Sequence, residues 1–473
     1  MNDLHTAEVT TELASVTGAS ALINADQDRN DVDLNRIVEA HERAPWFLEQ
    51  LAEVLDRVLS RHGRATLLAM HGWNVVQPVV DLGLGCAPGE NPYVVGRGAA
   101  VSAGFAAGTL PRLVGACAAR GIVATVGARY PARNRENLLQ LFTPRYRDDP
   151  RPLVRALAAL APRVDAVQLE LGIALRWPGS SRAMLLDACA EALPALVAPP
   201  GAARAPEGLA VAPDPLPPRR LEFTSSALCG LAGVDRGRGG RLLLFPPGGG
   251  LVLFTGERVG LAPGGLAFRA GASGALTVEF RGPLLRFPDT TPFLDLETGL
   301  ASARLIDAEV SLAFVPDHPA LDGADFGTVS GRVVLDGVEH AIAARGFAED
   351  GGAQGPWPRV RAALSLPDGA SLSVTVGLEG HEASGFLCRH GRHVTVAAAR
   401  VTIGSTHAPL ENVRLDVDLV GGERLRVAAH AIHRLPVIRA RGAAAVRVEF
   451  AACGLDGLAG DAAPAGWVEA GGF

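Results

Sequence analysis

The chain of 473 residues contains no lysine, so all 44 of its basic residues are arginine. That absence removes every chemistry that needs a titratable amine. It excludes a phosphate-loop lysine, a kinase lysine and a Schiff base to pyridoxal phosphate or a carbonyl substrate. What remains is the guanidinium fork, permanently charged and shaped to hold carboxylates. A basic stripe is also missing: the net charge is -6, which leaves nothing to displace phosphate counterions and excludes nucleic acid as a partner. No apolar run approaches the roughly 18 residues of a transmembrane helix, and Met1-Asn2-Asp3-Leu4 lacks the basic-then-apolar order of a secretory signal. A soluble, cytoplasmic protein is expected. The cysteines, Cys86, Cys117, Cys189, Cys229, Cys388 and Cys453, lie far apart with no CxxC, which reads as small core thiols in a reducing compartment.

The length calls for two domains, and the prolines show where to divide them. Pro194, Pro199, Pro200, Pro206, Pro213, Pro215, Pro217 and Pro218 mark a linker over 198–218, with one domain over 1–197 and another over 219–473.

The first domain alternates helical and strand patterns. Pro45 opens a helix carrying Leu48, Leu51, Leu55 and Leu59 at helical spacing, and Gly63 stops it. Further helices are expected over Leu110–Arg120, Pro152–Leu160 and Ser181–Ala192. Short apolar runs at Ala19–Asn24, Thr66–Met70, Gly121–Val126 and Asp165–Leu171 read as strands. Such repetition predicts an α/β fold with a mainly parallel sheet and helices on both faces. The second domain is a succession of short strands broken by glycine, with hairpin signals at Asp336-Gly337 and Asp368-Gly369, which predicts an all-β barrel or sandwich.

Hydrolytic metal sites need imidazoles and carboxylates around an open coordination position. His5-Thr6-Ala7-Glu8 has the HxxE spacing that puts two ligands on one helical turn, and His71 ends a strand, where α/β sheets present functional groups. In Asp165–Leu171, period-two alternation sets Gln168 and Glu170 on one face and Val167, Leu169 and Leu171 on the other. Each also has a plainer reading: His5 solvated, His71 a hydrogen-bonded core residue, Glu170 ion-paired with Arg176.

Taken in order, Asp31-Val32-Asp33-Leu34-Asn35-Arg36, Met70-His71-Gly72-Trp73-Asn74, Ala128-Arg129-Tyr130, Gln168-Leu169-Glu170 and Leu175-Arg176-Trp177-Pro178 resemble the landmarks of the N-formylglutamate amidohydrolase family, over most of residues 5–195. The resemblance implies a zinc carboxypeptidase-like fold and hydrolysis of an N-formyl or N-acyl amino acid or a related small amide. It implies zinc held by His5, Glu8 and His71, substrate held by Asn35, Arg36 and Arg129, and water activated by Glu170. Arg36 suits a carboxylate physically, through two parallel hydrogen bonds. In that fold the HxxE pair follows the first core strand, yet only four residues precede His5. Either the strand lies upstream of this sequence or Glu8 stands without its usual partner.

In the second domain, Gly327–Leu335, Asp336-Gly337-Val338-Glu339-His340, Arg345-Gly346-Phe347-Ala348-Glu349-Asp350, Trp357, Leu366-Pro367-Asp368-Gly369, Gly454-Leu455-Asp456-Gly457 and Gly466-Trp467-Val468-Glu469 are similar to the lipocalin-like proteins related to hydroxyneurosporene synthase and AttH. Where that family has an Asp-His pair before a tryptophan, this chain has Glu349-Asp350-Gly351-Gly352, which argues for an apolar-ligand or structural role over hydratase or isomerase chemistry. His390 with His393, and His430 with His433, sit three apart on strands and so face opposite ways. The leading expectation is therefore a zinc-dependent amidohydrolase. Its competitor is a non-catalytic protein with a degenerate hydrolase domain and a β domain that binds a hydrophobic small molecule.

Overall fold

In this computed structural model the described residues are 3–24, 27–29, 31–87, 89, 91–96, 98–193, 219–235, 239–247, 249–256, 265–290, 296–318, 323–350, 359–377, 383–403, 410–441, 444–455 and 465–471. The chain divides into two units, Met1–Val211 and Ala212–Phe473. The expected linker, 198–218, together with Trp357, Gly351, Gly352, Asp456 and Gly457, lies outside the described residues.

The first unit contains α1 (Thr6–Thr17), α2 (Ile37–Arg43), α3 (Pro45–His62), β1 (Ala65–Trp73), β2 (Val79–Gly83), α4 (Leu110–Ala119), β3 (Val123–Val126), α5 (Pro152–Ala158), β4 (Val164–Gly172), α6 (Ile173–Arg176) and α7 (Ser180–Ala192). α3 follows its sequence logic closely. Pro45 at its start has no N–H to lose, Leu48, Leu51, Leu55 and Leu59 form the buried stripe, and Gly63 takes the left-handed conformation that ends it, its N–H donating to the Leu59 carbonyl.

The four strands lie in the order β1-β4-β2-β3. β1 runs parallel to β4 and β2 parallel to β3, but β2 is antiparallel to β4, so the sheet is mixed. The expected strand at Ala19–Asn24 does not form; this sheet gives it no partner. One sheet face carries Val80, Leu82, Val167, Leu169 and Leu171 and packs with residues of α1, α4 and α7. The other carries Ala65, Val164 and Ala166 and packs with α2, α3 and α5. That second face changes character toward the C-terminal ends of β1 and β4, where Leu67 and Ala166 give way to His71, Gln168 and Glu170. The gradient creates a polar corner at the strand ends of an otherwise apolar layer.

The second unit is nearly all strand. β5 (Arg219–Thr224), β6 (Cys229–Asp235), β7 (Gly239–Phe245), β8 (Leu251–Gly256), β9 (Ala267–Ala270), β10 (Leu276–Phe287), β11 (Arg304–Pro316), β12 (Ala324–Leu335) and β13 (Val338–Asp350) form a nine-stranded sheet, with a short helix α8 (Leu296–Ala301) between β10 and β11. Because β10 also pairs with β11, eight of these strands close into a circuit to which β9 is added. β14 (Arg359–Ser365), β15 (Ser371–Gly377), β16 (Ala383–Arg389), β17 (Arg392–Ile403), β18 (Asn412–Leu419), β19 (Arg424–Arg441), β20 (Ala444–Leu455) and β21 (Gly466–Gly471) make a closed antiparallel barrel in chain order. Closure leaves no exposed edge, and an eight-stranded up-and-down barrel is the lipocalin-type architecture. Two closed circuits thus stand where one barrel or sandwich was expected. Asp336 and Gly337 both take positive φ, 53° and 79°, at the β12–β13 turn, as the Asp-Gly signal predicts.

Candidate functional site

The polar corner of the first unit is built by strand register. His71 on β1 is the in-register neighbour of Glu170 on β4, and Glu170 in turn neighbours Asp81 on β2, which neighbours Thr125 on β3. Register partners point the same way, so His71, Glu170, Asp81 and Thr125 form one row across all four strands. Each member has its own support. Asp81, fully buried, accepts from the Thr125 hydroxyl and the Ala128 N–H at one oxygen and from the Arg129 and Tyr130 N–H groups at the other, at 2.6–3.0 Å. It therefore anchors the loop after β3. Its signal in the sequence is a lone carboxylate inside the apolar run Val79-Val80-Asp81-Leu82.

Glu170 is 8% exposed and receives a hydrogen bond from the Gln168 amide at 2.7 Å. The Gln168 carbonyl is held in turn by the Asn137 amide at 2.8 Å, with the Asn35 amide at 3.5 Å. Asn137 is fixed by accepting from the Leu139 N–H at the start of a 3₁₀ turn. Burial pushes the Glu170 carboxyl above its ordinary range, against the opposing charge of His71, while Asp3 adds to the rise. A carboxyl so placed is a better base than one in water.

His71 faces Asp3, with Nδ1 at 3.5 Å from Oδ2, and Asp3 also meets Arg29 at 3.2 Å. Burial raises the Asp3 carboxyl, but hydrogen bonds from His71 and the Gly72 N–H, with the His71 and Arg29 charges, outweigh it and hold the group below the ordinary carboxylate range. Arg176, 1% exposed, is not the partner of Glu170. It donates to the carbonyls of Leu171, Leu4 and Trp73 and to the Asn74 side chain, and burial pushes its pKa down to about 10.

The residues singled out from sequence are thus brought together in part. His71 and Glu170 are adjacent, and Asn35 reaches the same amide network. Arg36 turns away from the network to Asp33, at 3.4 Å, and is 37% exposed. Arg129 contributes its backbone N–H, while its side chain is exposed. His5 and Glu8 pair with each other at 3.3 Å, and the His5 ring meets Trp177 edge-on at 4.6 Å. Among the described residues no three His, Cys, Asp or Glu side chains are placed to share a metal ion, so His5, Glu8 and His71 do not fit a common zinc site. Asp3, Arg29 and Asn137 join the site without a signal in the sequence, because no local pattern links residues 3, 29 and 71.

The second unit has its own polar cluster, again set by register. Glu222, Phe347 and Phe326 form one outward row on β5, β13 and β12, and Thr224 with Arg345 forms the next. Facing them are Arg361 with Glu469, and Ala363 with Trp467, on β14 and β21. Arg361, 3% exposed, bridges Glu222 at 2.8 Å and Glu349 at 2.9 Å, and Arg220 joins Glu222 and Glu469. The Trp467 indole N–H donates to the Phe223 carbonyl at 3.1 Å. Beside these charges lies a small cleft, with room for about one water molecule, whose walls include Phe326, Phe347, Ala363 and Trp467. Glu222, also on its wall, has one oxygen, Oε2, that is buried and has no hydrogen-bond partner among the described residues. The barrel interior itself is filled by Val360, Leu364, Leu372, Val374, Leu387, Leu415 and their neighbours.

No protein-family model and no curated protein matches the chain. Among solved structures it is similar to an AttH-like protein of Nitrosomonas europaea, at 12% identity and a TM-score of 0.33, over 53% of this chain and 91% of that one. It is similar also to kievitone hydratase of Nectria haematococca, at 7% identity and a TM-score of 0.33, over 54% of this chain and 88% of that one. A third similar structure is CghA with Sch210972, at 10% identity and a TM-score of 0.29, over 54% and 86%.

Proposed function

We propose that the α/β unit is a hydrolase of small amides of the N-formyl or N-acyl amino acid class, working through the His71–Glu170 pair. The observation that carries this reading is the in-register placement of the two side chains at the polar strand ends, with burial raising the Glu170 carboxyl. Glu170 takes a proton from the attacking water as its oxygen bonds to the amide carbon. His71, beside it, donates a hydrogen bond to the carbonyl oxygen as negative charge develops there. The C–N bond then breaks, the amine leaves with the proton carried by Glu170, and the products are a carboxylic acid and an amine. Gln168 and Asn137 keep Glu170 turned toward its work. The substrate class rests on the motif resemblance to N-formylglutamate amidohydrolases. Zinc, implied by the same resemblance, has no fitting ligand set among the described residues, and no step here passes through it.

The test is amine release from a panel of N-formyl and N-acetyl amino acids by the purified chain, with and without added zinc, beside Glu170→Gln. Turnover that falls by about 10²-fold or more in the variant supports the reading, since that is the usual worth of a general base. No hydrolysis of any panel member, or equal hydrolysis by the variant, overturns it.

A further inference from the structure

Three groups, one from Arg29 ahead of α2 and two from the adjacent residues His71 and Gly72 of β1, converge on the Asp3 carboxylate. The Arg29 Nη1 stands 3.3 and 3.2 Å from its two oxygens, His71 Nδ1 stands 3.5 Å from one of them, and the Gly72 N–H bonds to it. A guanidinium, an imidazole and a backbone N–H around one carboxylate make the usual equipment of an anion-recognition site. Gly72 is what allows the approach: a Cβ there would lie 3.1 Å from the Asp3 Cβ and 2.6 Å from the Arg176 guanidinium. The segment that brings Asp3 is fastened just behind it, by the Arg176 bond to the Leu4 carbonyl at 2.8 Å and by the start of α1. Asp3 thus stands beside His71 and Glu170, where a substrate of the proposed reaction has to be.

We propose that Arg29, His71 Nδ1 and the Gly72 N–H form a carboxylate-binding site, that Asp3 fills it in cis, and that the carboxylate of an incoming small acid displaces Asp3. This rests on the proposed amide hydrolysis for its role, and it assigns the substrate's carboxylate to Arg29 in place of Arg36. The Arg36 side chain is held by Asp33 at 3.4 Å, whereas Arg29, which also approaches Asp33 at 3.7 Å, reaches Asp3 beside His71. In this arrangement Asp3 also sets the affinity of the site, since a ligand has to compete with a tethered carboxylate whose effective concentration is high.

The experiment is calorimetric titration of the full chain with N-acetylglycine, and with its carboxamide as control, in a Glu170→Gln background where the ligand survives. Removing the internal competitor with Asp3→Ala should tighten N-acetylglycine binding at least tenfold and leave the carboxamide unaffected. Adding Arg29→Gln should abolish that gain. Asp3→Asn, which keeps the shape but not the charge, should show the same direction, and circular dichroism of each variant checks the fold. Unchanged or weaker binding in both Asp3 variants with native spectra overturns the proposal, as does a gain that persists without Arg29. Tighter binding without hydrolysis by the parent chain sinks the hydrolase and spares the carboxylate site. Hydrolysis without tighter binding does the reverse.

Discussion

In the α/β unit the key carboxylate, Glu170, is steadied by neutral amides, Gln168 and behind it Asn137, whereas in the β unit Glu222, Glu349 and Glu469 are steadied by Arg220 and Arg361. Both arrangements are buried, but they leave different freedom. An amide holds a carboxylate in place without setting a full charge beside it, which suits the proton transfer proposed for Glu170. An arginine on each side fixes the charge, which suits a seam that has to stay shut. Buried polar groups therefore divide by what pairs them: amide-held groups keep reactivity, while ion-held groups give it up for placement.

The sharpest way to break this contrast is Arg361→Leu. It strands Glu222 and Glu349 without one of their cations, and breaking a buried pair from one side costs about 3–5 kcal/mol. Urea unfolding of the variant should show a loss of that size; a change near zero would mean the seam is held by its aromatic rings alone. Next comes Gly172→Ala in the α/β unit. Its Cβ would lie 2.3 Å from the Gln77 carbonyl oxygen, a backbone contact that cannot swing aside, so about 1–3 kcal/mol of stability should be lost. Wild-type unfolding would mean that the strand can shift there.

Gln168→Leu removes the amide that orients Glu170 while keeping the volume. Its expected effect is a fall of about tenfold to a hundredfold in kcat with little change in KM, about 1–3 kcal/mol of lost positioning. A changed KM with unchanged kcat would place Gln168 in substrate binding instead. The smallest effect is one of pH. His433 stacks on Phe245 at 5.2 Å, and burial lowers its pKa from 6.5. Between the lowered folded value and 6.5 the unfolded chain binds more protons than the folded one, so stability declines as pH falls below about 6.5. His433→Phe should flatten the pH dependence of unfolding in that window by up to about one proton. Parallel curves would show that other groups govern it.

Local features of the fold were legible where the sequence alone decides them. The α3 helix is written in its proline start, leucine spacing and glycine stop, and strand β4 in the alternation around Gln168 and Glu170. The β12–β13 turn is written in Asp336-Gly337. What was not legible depends on partners far away in the chain. The run Ala19–Asn24 has a strand-like composition but no strand beside it. The second circuit of the β unit exists because β10 finds β11 as well as β8, a pairing no local pattern announces. At the candidate site, His71 and Glu170 were readable as strand-end polar groups. Asp3 and Arg29 were not, because residues 26 apart meet only after the sheet is built. The HxxE pair misled for the opposite reason: His5 and Glu8 do meet, but they spend their contact on each other and on Trp177.

Whether Glu170 is the base of an amide hydrolysis is decided by steady-state kinetics of Glu170→Gln on the best N-acyl amino acid. The predicted result is a kcat lowered by about 10²-fold or more at nearly unchanged KM, with native unfolding behaviour. A variant that turns over substrate at the wild-type rate would contradict the claim.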